Sequence, residues 1–325
     1  MKMLMQRYAK RADFGAIVGV CAIFLIFSLI DFSNWWSGHA LPDIIQFTAI
    51  LGVMAVGQAI MIMVKEIDLS VGSVYGLTGV SFIMLEEYLG VPGAMISALL
   101  IAASLGYIQA FVTLRGKIPS MIVTLGGLFA IRGIIHIWTS GQMRSLPVEA
   151  KHHWLTSVFG GELFGIEVAV FWALLVLLVF STLLWKTRFG NHLLAVGGDP
   201  NTARGQGIRV PRVKTAAFMM CSTLAGFAAI LTLADRPQTH VTLGTLMELE
   251  AIAAAVIGGC VLTGGRGSLL GAMLGAFIIT SVRYQLISLG APSSWYITFV
   301  GLVLIASLIF NQLLARWAGH ATHGE

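Results

Sequence analysis

Long apolar runs separated by short polar segments extend through the whole chain. A helix needs about 20 mostly apolar residues to cross the hydrocarbon core of a bilayer. About ten runs approach or exceed that length, and the eighth is short and is expected to be broken. They cover residues 14–31, 41–64, 69–88, 92–114, 119–139, 166–185, 214–234, 249–265, 268–289 and 294–314. The pattern predicts an all-α, polytopic membrane protein with about ten transmembrane helices.

Composition supports lipid as the solvent of this chain. Its 325 residues are 57% hydrophobic before the 37 glycines are counted, and only 11% are charged, against about 25% in a soluble domain. A water-soluble fold has too few charges here to cover so much apolar surface. The composition excludes an ordinary soluble enzyme, a disordered chain and a nucleic-acid-binding domain. We expect a single transmembrane domain over residues 1–325.

Positive charges predict the orientation, because Lys and Arg concentrate in cytoplasmic loops. With ten spans, 15 of the 20 Lys and Arg residues fall on the side of the N-terminus, and three fall on the other side: Arg144, Lys151 and Arg236. Residues 1–11 resemble the basic start of a signal peptide, but the run that follows is long and lacks a small-residue cleavage site. We therefore expect a retained first span and cytoplasmic N- and C-termini.

Two loops are long enough to hold structure. The outer loop covers about residues 140–165, and the inner loop covers about residues 186–213. In the inner loop Pro200 follows Asp199, a sequence that favours a short helix with Asp199 as its N-cap.

Polar residues interrupt the apolar pattern at two places. Residues 65–73 carry Asp68, Ser70 and Ser73 between two spans, and Asp68 and Ser70 are good N-cap residues for the helix that follows. Glu248 and Glu250 precede the short eighth run. Interrupted helices in corresponding places of two halves are the best sequence indication of a transport pathway.

Arg132 and Arg283 fall within predicted spans, where a charge is costly in lipid. We expect both to face the bundle interior or water. One interpretation is a role in the substrate path or its gating. The other is a structural ion pair with an outer acid such as Glu86 or Glu250.

Four blocks of residues carry a family resemblance. Ile-Asp-Leu-Ser-Val-Gly-Ser at 67–73 resembles the signature of the permease subunits of ribose-type sugar ABC importers. The matching second block is Lys-Ile-Pro-Ser at 117–120 with Thr-Leu-Gly at 124–126. The third includes Ala-Val-Gly-Gly-Asp at 195–199, and the fourth runs from Glu250 to Gly259, followed by Gly-Gly-Arg-Gly-Ser at 264–268. Lys65-Glu66 stand where many members have Gly-Gly, as in the subgroup of xylose, rhamnose and autoinducer-2 permeases.

The resemblance implies a multi-pass protein of the bacterial inner membrane. It implies import of a monosaccharide or similar solute through a pathway formed by two permease chains, as a homodimer or with a close homologue. A periplasmic binding protein delivers the solute, and a cytoplasmic ATP-binding subunit drives the movement. The implied coupling residues are Gly197, Gly198, Asp199, Ala203, Gly207, Ile208 and Arg209. The candidates for the pathway or its gate are Asp68, Ser70, Ser73, Thr124, Arg132, Glu250 and Arg283.

The sequence itself also indicates that ATP binding belongs to a separate subunit. The chain contains no G-x-x-x-x-G-K-[ST] motif, so ATP must be bound by another subunit. We expect no catalytic residues, no metal site and no cofactor in this chain, and no nucleic-acid partner.

Three alternatives differ in what they require. A stand-alone secondary carrier requires ionisable residues that form a relay at mid-membrane, and only Arg132 and Arg283 fall clearly within spans. A membrane enzyme requires a catalytic constellation, but His136 and the pair His152-His153 form no recognisable motif. A branched-chain amino-acid ABC permease requires a group for the substrate carboxylate, which Arg132 could supply.

Overall fold

A computed structural model describes residues 13–320 of the chain. The basic segment at the start, with Lys2, Arg7, Lys10 and Arg11, and the last five residues lie outside the described range. The predicted positions of the two termini therefore fall partly on residues that the structure does not describe.

Helices make up most of the described chain. Fourteen α-helices and four two-residue strands occur within residues 13–320. The helices are α1 (Phe14–Ile30), α2 (Phe32–Trp35), α3 (Ala40–Met63), α4 (Val71–Gly116), α5 (Ser120–Thr139), α6 (Val148–Lys151), α7 (Trp154–Phe159), α8 (Val168–Lys186), α9 (Arg188–Gly198), α10 (Pro200–Gly205), α11 (Val210–Asp235), α12 (Met247–Ile257), α13 (Leu269–Ser288) and α14 (Ser293–His320).

Six of these helices are long and apolar enough to cross a membrane: α3, α4, α5, α8, α11 and α13. The shorter apolar helices Phe14–Ile30 and Ser294–Ala306 add to the bundle. This architecture confirms the prediction of an all-α, polytopic membrane protein.

Helix α4 contains two of the predicted spans. Gly90 has φ +63° and ψ 171° inside its 46 residues, and Pro92 follows it. A residue with a side chain rarely adopts this φ, so glycine permits the break. The two helical segments on either side correspond to the predicted runs 69–88 and 92–114.

The eighth run is broken, as predicted. Helix α12 has 11 residues and ends at Ile257, whereas the apolar run continues to residue 265. The following segment, which we call the glycine loop (residues 258–268), contains Gly259, Gly264 and Gly265 with positive φ. These backbone conformations cannot continue a right-handed helix.

The core of the bundle lies around α3 and α11. In their most apolar stretches, 78% of α3 and 67% of α11 is buried, against 22% for α5 and for α8. Helix α11 packs against α4 and α3, and α13 packs against α3 and α12. Helices α5 and α8 therefore lie at the periphery of the bundle, and most of the surface of each is exposed.

The outer loop folds into short elements. Strand β1 (Arg144–Ser145) pairs antiparallel with β4 (Gln238–Thr239), and β2 (Glu162–Leu163) pairs with β3 (Ile166–Glu167). The first pairing ties the outer loop to the segment that follows α11. The inner loop consists of the two helices α9 and α10, one more than the sequence predicts.

Candidate functional site

The first interruption, residues 64–70, connects α3 to α4 and is called the first break. Asp68 and Ser70 are completely buried there. Asp68 Oδ1 accepts hydrogen bonds from the Ser70 backbone N–H at 2.8 Å and from Ser70 Oγ at 2.6 Å. Ser70 occupies the N-cap position of α4 but its side chain makes no capping bond. The predicted capping role is wrong in this detail, because the Ser70 hydroxyl is engaged with Asp68.

Helix α5 holds the first break along one stripe of residues at four-residue spacing. Ser120 Oγ accepts from the Ile67 N–H at 3.2 Å, and Thr124 Oγ1 accepts from the Leu69 N–H at 3.0 Å. One turn further, the Leu128 carbonyl accepts from Ser73 Oγ at 3.0 Å. Residues four apart lie on the same helix face, so this stripe provides partners for an extended backbone that would otherwise be unpaired in the membrane.

The same stripe ends at Arg132, which contacts a second interruption. Residues 236–246, called the second break, connect α11 to α12. Arg132 Nη1 donates to the carbonyl oxygens of Leu243 at 2.7 Å and Val241 at 3.1 Å. Arg132 is therefore held by backbone carbonyls, and Glu248 is the acid that interacts with it electrostatically.

The second break lies directly against the start of α4. A Cβ at Gly72 would overlap both Glu248 Oε2 and the carbonyl oxygen of Gly244, and a Cβ at Gly76 would lie 2.7 Å from the Leu243 oxygen. Gly244 has φ +80°, which a glycine adopts readily. The second break therefore packs against the start of α4, directly after the first break, along a line of glycines.

Arg283 forms the predicted pair with Glu250. Arg283 Nη1 lies 3.9 Å from Glu250 Oε1, and the Glu250 side chain is only 5% exposed. The Arg283 guanidinium also lies 5.9 Å from the ring centroid of Phe47 and 5.3 Å from that of Tyr296. The geometry favours the ion-pair interpretation for Arg283, whereas Arg132 has carbonyl partners.

The inner loop has the local structure that the sequence predicts. Pro200 begins α10, and Asp199 is its N-cap, accepting from the Asn201 N–H at 2.8 Å and from Thr202 Oγ1 at 2.7 Å. The hydrogen bond from Thr202 and then that from Asn201 lower the pKa of the Asp199 carboxyl. Helix α10 ends at Gly205 after six residues, which agrees with the short helix predicted there.

The remaining predicted coupling residues surround α10. Ala203 is buried and its carbonyl accepts from the Ile208 N–H at 3.1 Å. Gly207 has φ +82° and turns the chain toward α11. Arg209 is exposed and precedes α11. Together these residues form a small unit whose surface is mostly exposed.

A group of contacting residues, called the inner junction, joins this unit to the bundle. It consists of Met63, Lys65, Gly197, Gly198 and Gly265. Lys65 Nζ donates to the Gly198 carbonyl at 2.7 Å, and the Gly265 N–H donates to the Met63 carbonyl at 2.9 Å. A Cβ at Gly197 would overlap the Met63 carbonyl oxygen. The end of α9, the end of α3 and the glycine loop therefore meet at one point.

Four polar residues at these places were not singled out as site residues from the sequence. Gln58 donates to the Asp68 carbonyl oxygen, Gln109 donates to Ser70 Oγ at 2.6 Å, Glu248 lies against Gly72, and Lys65 belongs to the inner junction. Two glutamines inside otherwise apolar spans were an available signal, since polar groups in a span need partners.

Comparison with known proteins identifies the family. The profile of the family described as "Branched-chain amino acid transport system / permease component" matches residues 41–308. The chain is 33% identical over 303 residues to the autoinducer 2 import system permease protein LsrC of Escherichia coli O9:H4 (strain HS), covering 92% of this chain and 87% of that protein. It is 31% identical over 301 residues to the protein of the same name from Salmonella typhi, covering 92% and 85%.

The match includes both breaks, the stripe on α5, the inner junction and the inner loop. This extent agrees with the order of the four blocks that carry the resemblance in the sequence. The chain is a multi-pass protein of the inner membrane, and it belongs to the family of permease subunits of binding-protein-dependent importers.

Proposed function

We propose that this chain is the permease of an ATP-driven importer of a monosaccharide or a similar polyhydroxylated solute. The observation that carries this proposal is the similarity to autoinducer 2 import permeases over 92% of the chain. A cytoplasmic ATP-binding subunit, a periplasmic substrate-binding protein and a second permease chain complete the transporter. ATP is bound by the partner subunit, and this chain uses no cofactor of its own.

The proposed topology has ten spans and two cytoplasmic termini. Two segments of α4, separated at Gly90, contribute a span each, and α12 contributes a short one. The other seven proposed spans are α1, α3, α5, α8, α11, α13 and α14. The inner junction and the α9–α10 unit then lie on the cytoplasmic side, and the paired strands β1 and β4 lie on the outer side.

The α9–α10 unit is the proposed dock for the ATP-binding subunit. Its exposed surface contains Gly198, Asn201, Gly205 and Arg209. The inner junction connects the end of α9 to α3 and to the glycine loop before α13. A displacement of the dock would therefore reach two core spans, which could alternate access to the pathway.

The two breaks are the proposed moving parts of the pathway. Asp68, Ser70, Ser73 and Thr124 fix the first break, and Arg132 fixes the second. The two arginines within the spans are already engaged, because Arg132 has two carbonyl partners and Arg283 has Glu250. This engagement favours an uncharged solute, bound by hydroxyl-compatible polar groups.

One experiment tests the importer and its dock together. The chain is reconstituted in proteoliposomes with its ATP-binding subunit and binding protein, and ATP hydrolysis and solute uptake are measured. Gly205→Trp adds a bulky side chain where no atom lies within 4 Å, and Gly15→Trp does the same on α1. We expect Gly205→Trp to abolish coupled hydrolysis and Gly15→Trp to retain it.

The outcomes separate the alternatives. Normal coupling in the Gly205→Trp variant would show that α10 is not the dock. Uptake in liposomes that lack the ATP-binding subunit would show that the chain is a secondary carrier and not a subunit of an ATP-driven importer. A panel of pentoses, hexoses, deoxyhexoses and autoinducer 2 then identifies the solute.

The family description favours a second candidate substrate, a branched-chain amino acid. Its carboxylate would need a free guanidinium or helix N-terminus, and Arg132 is held by the second break. Leucine and isoleucine are included in the panel, and their uptake instead of any sugar would establish the second candidate.

A further inference from the structure

A buried polar cluster at the first break contains a carboxylate without a counter-charge. Asp68, Gln58 and Ser70 are completely buried, and Gln109 is 5% exposed. They come from α3, from the break itself and from the second segment of α4. The proposed transport function does not assign these residues a ligand.

The hydrogen bonds of this cluster leave three acceptors without a donor. Asp68 Oδ1 receives two hydrogen bonds from Ser70, and Asp68 Oδ2 receives none. The side-chain oxygens of Gln58 and Gln109 are also buried and unpartnered. Each glutamine uses its amide nitrogen, on the Asp68 carbonyl oxygen and on Ser70 Oγ respectively. The cluster is therefore short of donors at the side where Oδ2 lies.

Charge compensation for Asp68 is also lacking. The ion pairs formed within the described part of the chain join Lys214 to Glu66, Arg236 to Asp235 and Arg283 to Glu250, and none includes Asp68. The titratable group that faces Asp68 from α11 is the buried thiol of Cys221. An isolated buried carboxylate is strongly disfavoured, and such a group takes up a proton instead.

The start of α4 lies close by and favours negative charge. However, the N–H group that bonds to the carboxylate is that of Ser70, and it bonds to Oδ1. The helix N-terminus therefore leaves the second oxygen without a partner.

We propose that Asp68 is a proton-binding site that stays neutral at physiological pH. A proton on Oδ2 turns this acceptor into a donor, and it then bonds to an unpartnered amide oxygen of Gln58 or Gln109. A single proton thereby removes the charge and satisfies two of the three open acceptors. Neutral hydrogen bonds then join α3, the first break and the second segment of α4.

Infrared spectroscopy of the full-length protein in lipid tests this proposal directly. Asp68 is the one fully buried aspartate of the described residues, so the chain is labelled with ¹³C at the aspartate carboxyl groups. We expect a protonated carboxylic-acid C=O band at pH 7 that shifts on labelling. The band should disappear in Asp68→Asn and persist in Asp199→Asn, whose carboxyl group is exposed.

The absence of a label-sensitive acid band in the wild type at pH 7 would overturn the proposal, whether or not any variant folds. Thermal unfolding of the purified protein in detergent adds a second readout: Asp68→Asn, which is neutral and has an amide donor, should lower the midpoint less than Asp68→Ala, which has none. An equal loss of stability in the two variants would show that a neutral donor does not replace the aspartate and would also overturn the proposal. Loss of ATP-coupled uptake in the wild type concerns the transport function and leaves the spectroscopic result intact.

Discussion

At the scale of single residues, several glycines are required by direct contact with backbone. At Gly197 a Cβ would overlap the Met63 carbonyl oxygen and lie 2.6 Å from the Gly265 nitrogen, whereas at Gly198 no atom lies within 4 Å. Backbone atoms cannot rotate away as side chains do. Gly197 and Gly198 look alike in the sequence, but only Gly197 is required by a close backbone contact.

The first prediction compares these neighbours. Gly197→Ala should destabilise the chain by about 1–3 kcal/mol, the range for overpacking a tight contact. Gly198→Ala should change stability by less than about 0.5 kcal/mol, as expected for an open position. Thermal unfolding of the purified proteins in detergent measures the difference. Equal effects of the two substitutions would contradict the geometry of the inner junction.

The second prediction concerns the cap of α10. The bonds from Thr202 and Asn201 hold the pKa of Asp199 below its ordinary value of 3.8. The stabilisation is therefore complete at neutral pH, and it is lost as the pH falls through the lowered pKa. Asp199→Ala should speed amide hydrogen exchange in α10 at neutral pH, and Asp199→Asn, which can still cap, should not.

The pH dependence supplies the control for the cap. The difference between Asp199→Ala and the wild type should shrink once the pH is below the lowered pKa, because the wild type is then protonated. A difference that is independent of pH would show that the carboxylate does not act as the cap.

At the scale of elements, two interrupted segments rest on one helix. The stripe of Ser120, Thr124, Leu128 and Arg132 on α5 contacts the first break at its lower turns and the second break at its last residue. Gly72 and Gly244 bring the start of α4, just after the first break, into contact with the second break. The breaks are therefore expected to move together with α5.

The third prediction tests this contact. Gly72→Ala places a Cβ where Glu248 and the Gly244 carbonyl already lie, and we expect uptake to fall at least ten-fold. Gly133→Ala on the open face of α5, where no atom lies within 4 Å, is the matched control. Uptake assays with equal amounts of assembled complex decide the question. Normal uptake by Gly72→Ala would show that transport does not require the close approach of α4 to the second break.

The fourth prediction concerns Arg132. Replacing it by Met removes two charge-assisted hydrogen bonds to the second break, each worth about 1.5–3 kcal/mol. We expect faster hydrogen exchange in residues 240–246 and reduced uptake, while the first break keeps its exchange rate. Unchanged exchange in residues 240–246 would mean that other contacts hold the second break.

At the scale of the whole molecule, the bundle has a buried centre and open sides. Helices α3 and α11 are mostly enclosed, whereas α5 and α8 expose apolar residues such as Phe129 and Leu178. Lipid covers such surfaces, and a second permease chain would cover part of them. The outer strands and the inner helices α9 and α10 lie at opposite ends of the proposed ten-span topology.

The fifth prediction tests that topology. In a Cys21→Ala background, the remaining native cysteines Cys221 and Cys260 are buried. A membrane-impermeant maleimide should label Glu162→Cys from the outside of intact cells, and Asn201→Cys only after the membrane is opened. Labelling of both positions in intact cells would exclude the proposed arrangement.

Much of the fold could be predicted from the sequence, because apolar length alone determines where a span is needed. The observed helices begin and end within a few residues of the predicted runs, and the broken eighth run was anticipated from its glycines. The end of α12 at Ile257 could not be placed, since its apolar run continues into the glycine loop. Helix α9, the first of the two helices in the inner loop, was also missed.

The candidate site was predicted less completely. Asp68 and Ser70 do meet in one hydrogen-bonded group, because they are close in sequence, and Thr124 contacts the same break through the Leu69 N–H. Gln58, Gln109 and Glu248 come from other elements, and their partners at the breaks are visible only in the structure. Contacts between distant segments depend on how spans assemble, which periodicity does not encode.

In the proposed mechanism, the inner junction transmits force through backbone contacts, glycines and one lysine side chain. A joint of this kind constrains few side chains, so the exposed residues around it can be replaced as long as the backbones still touch. The surface of α10 can then change to suit a different ATP-binding subunit while the mechanical link to α3 and α13 stays the same. Exchange of partners between related transporters would require new contacts at the dock but no redesign of the spans.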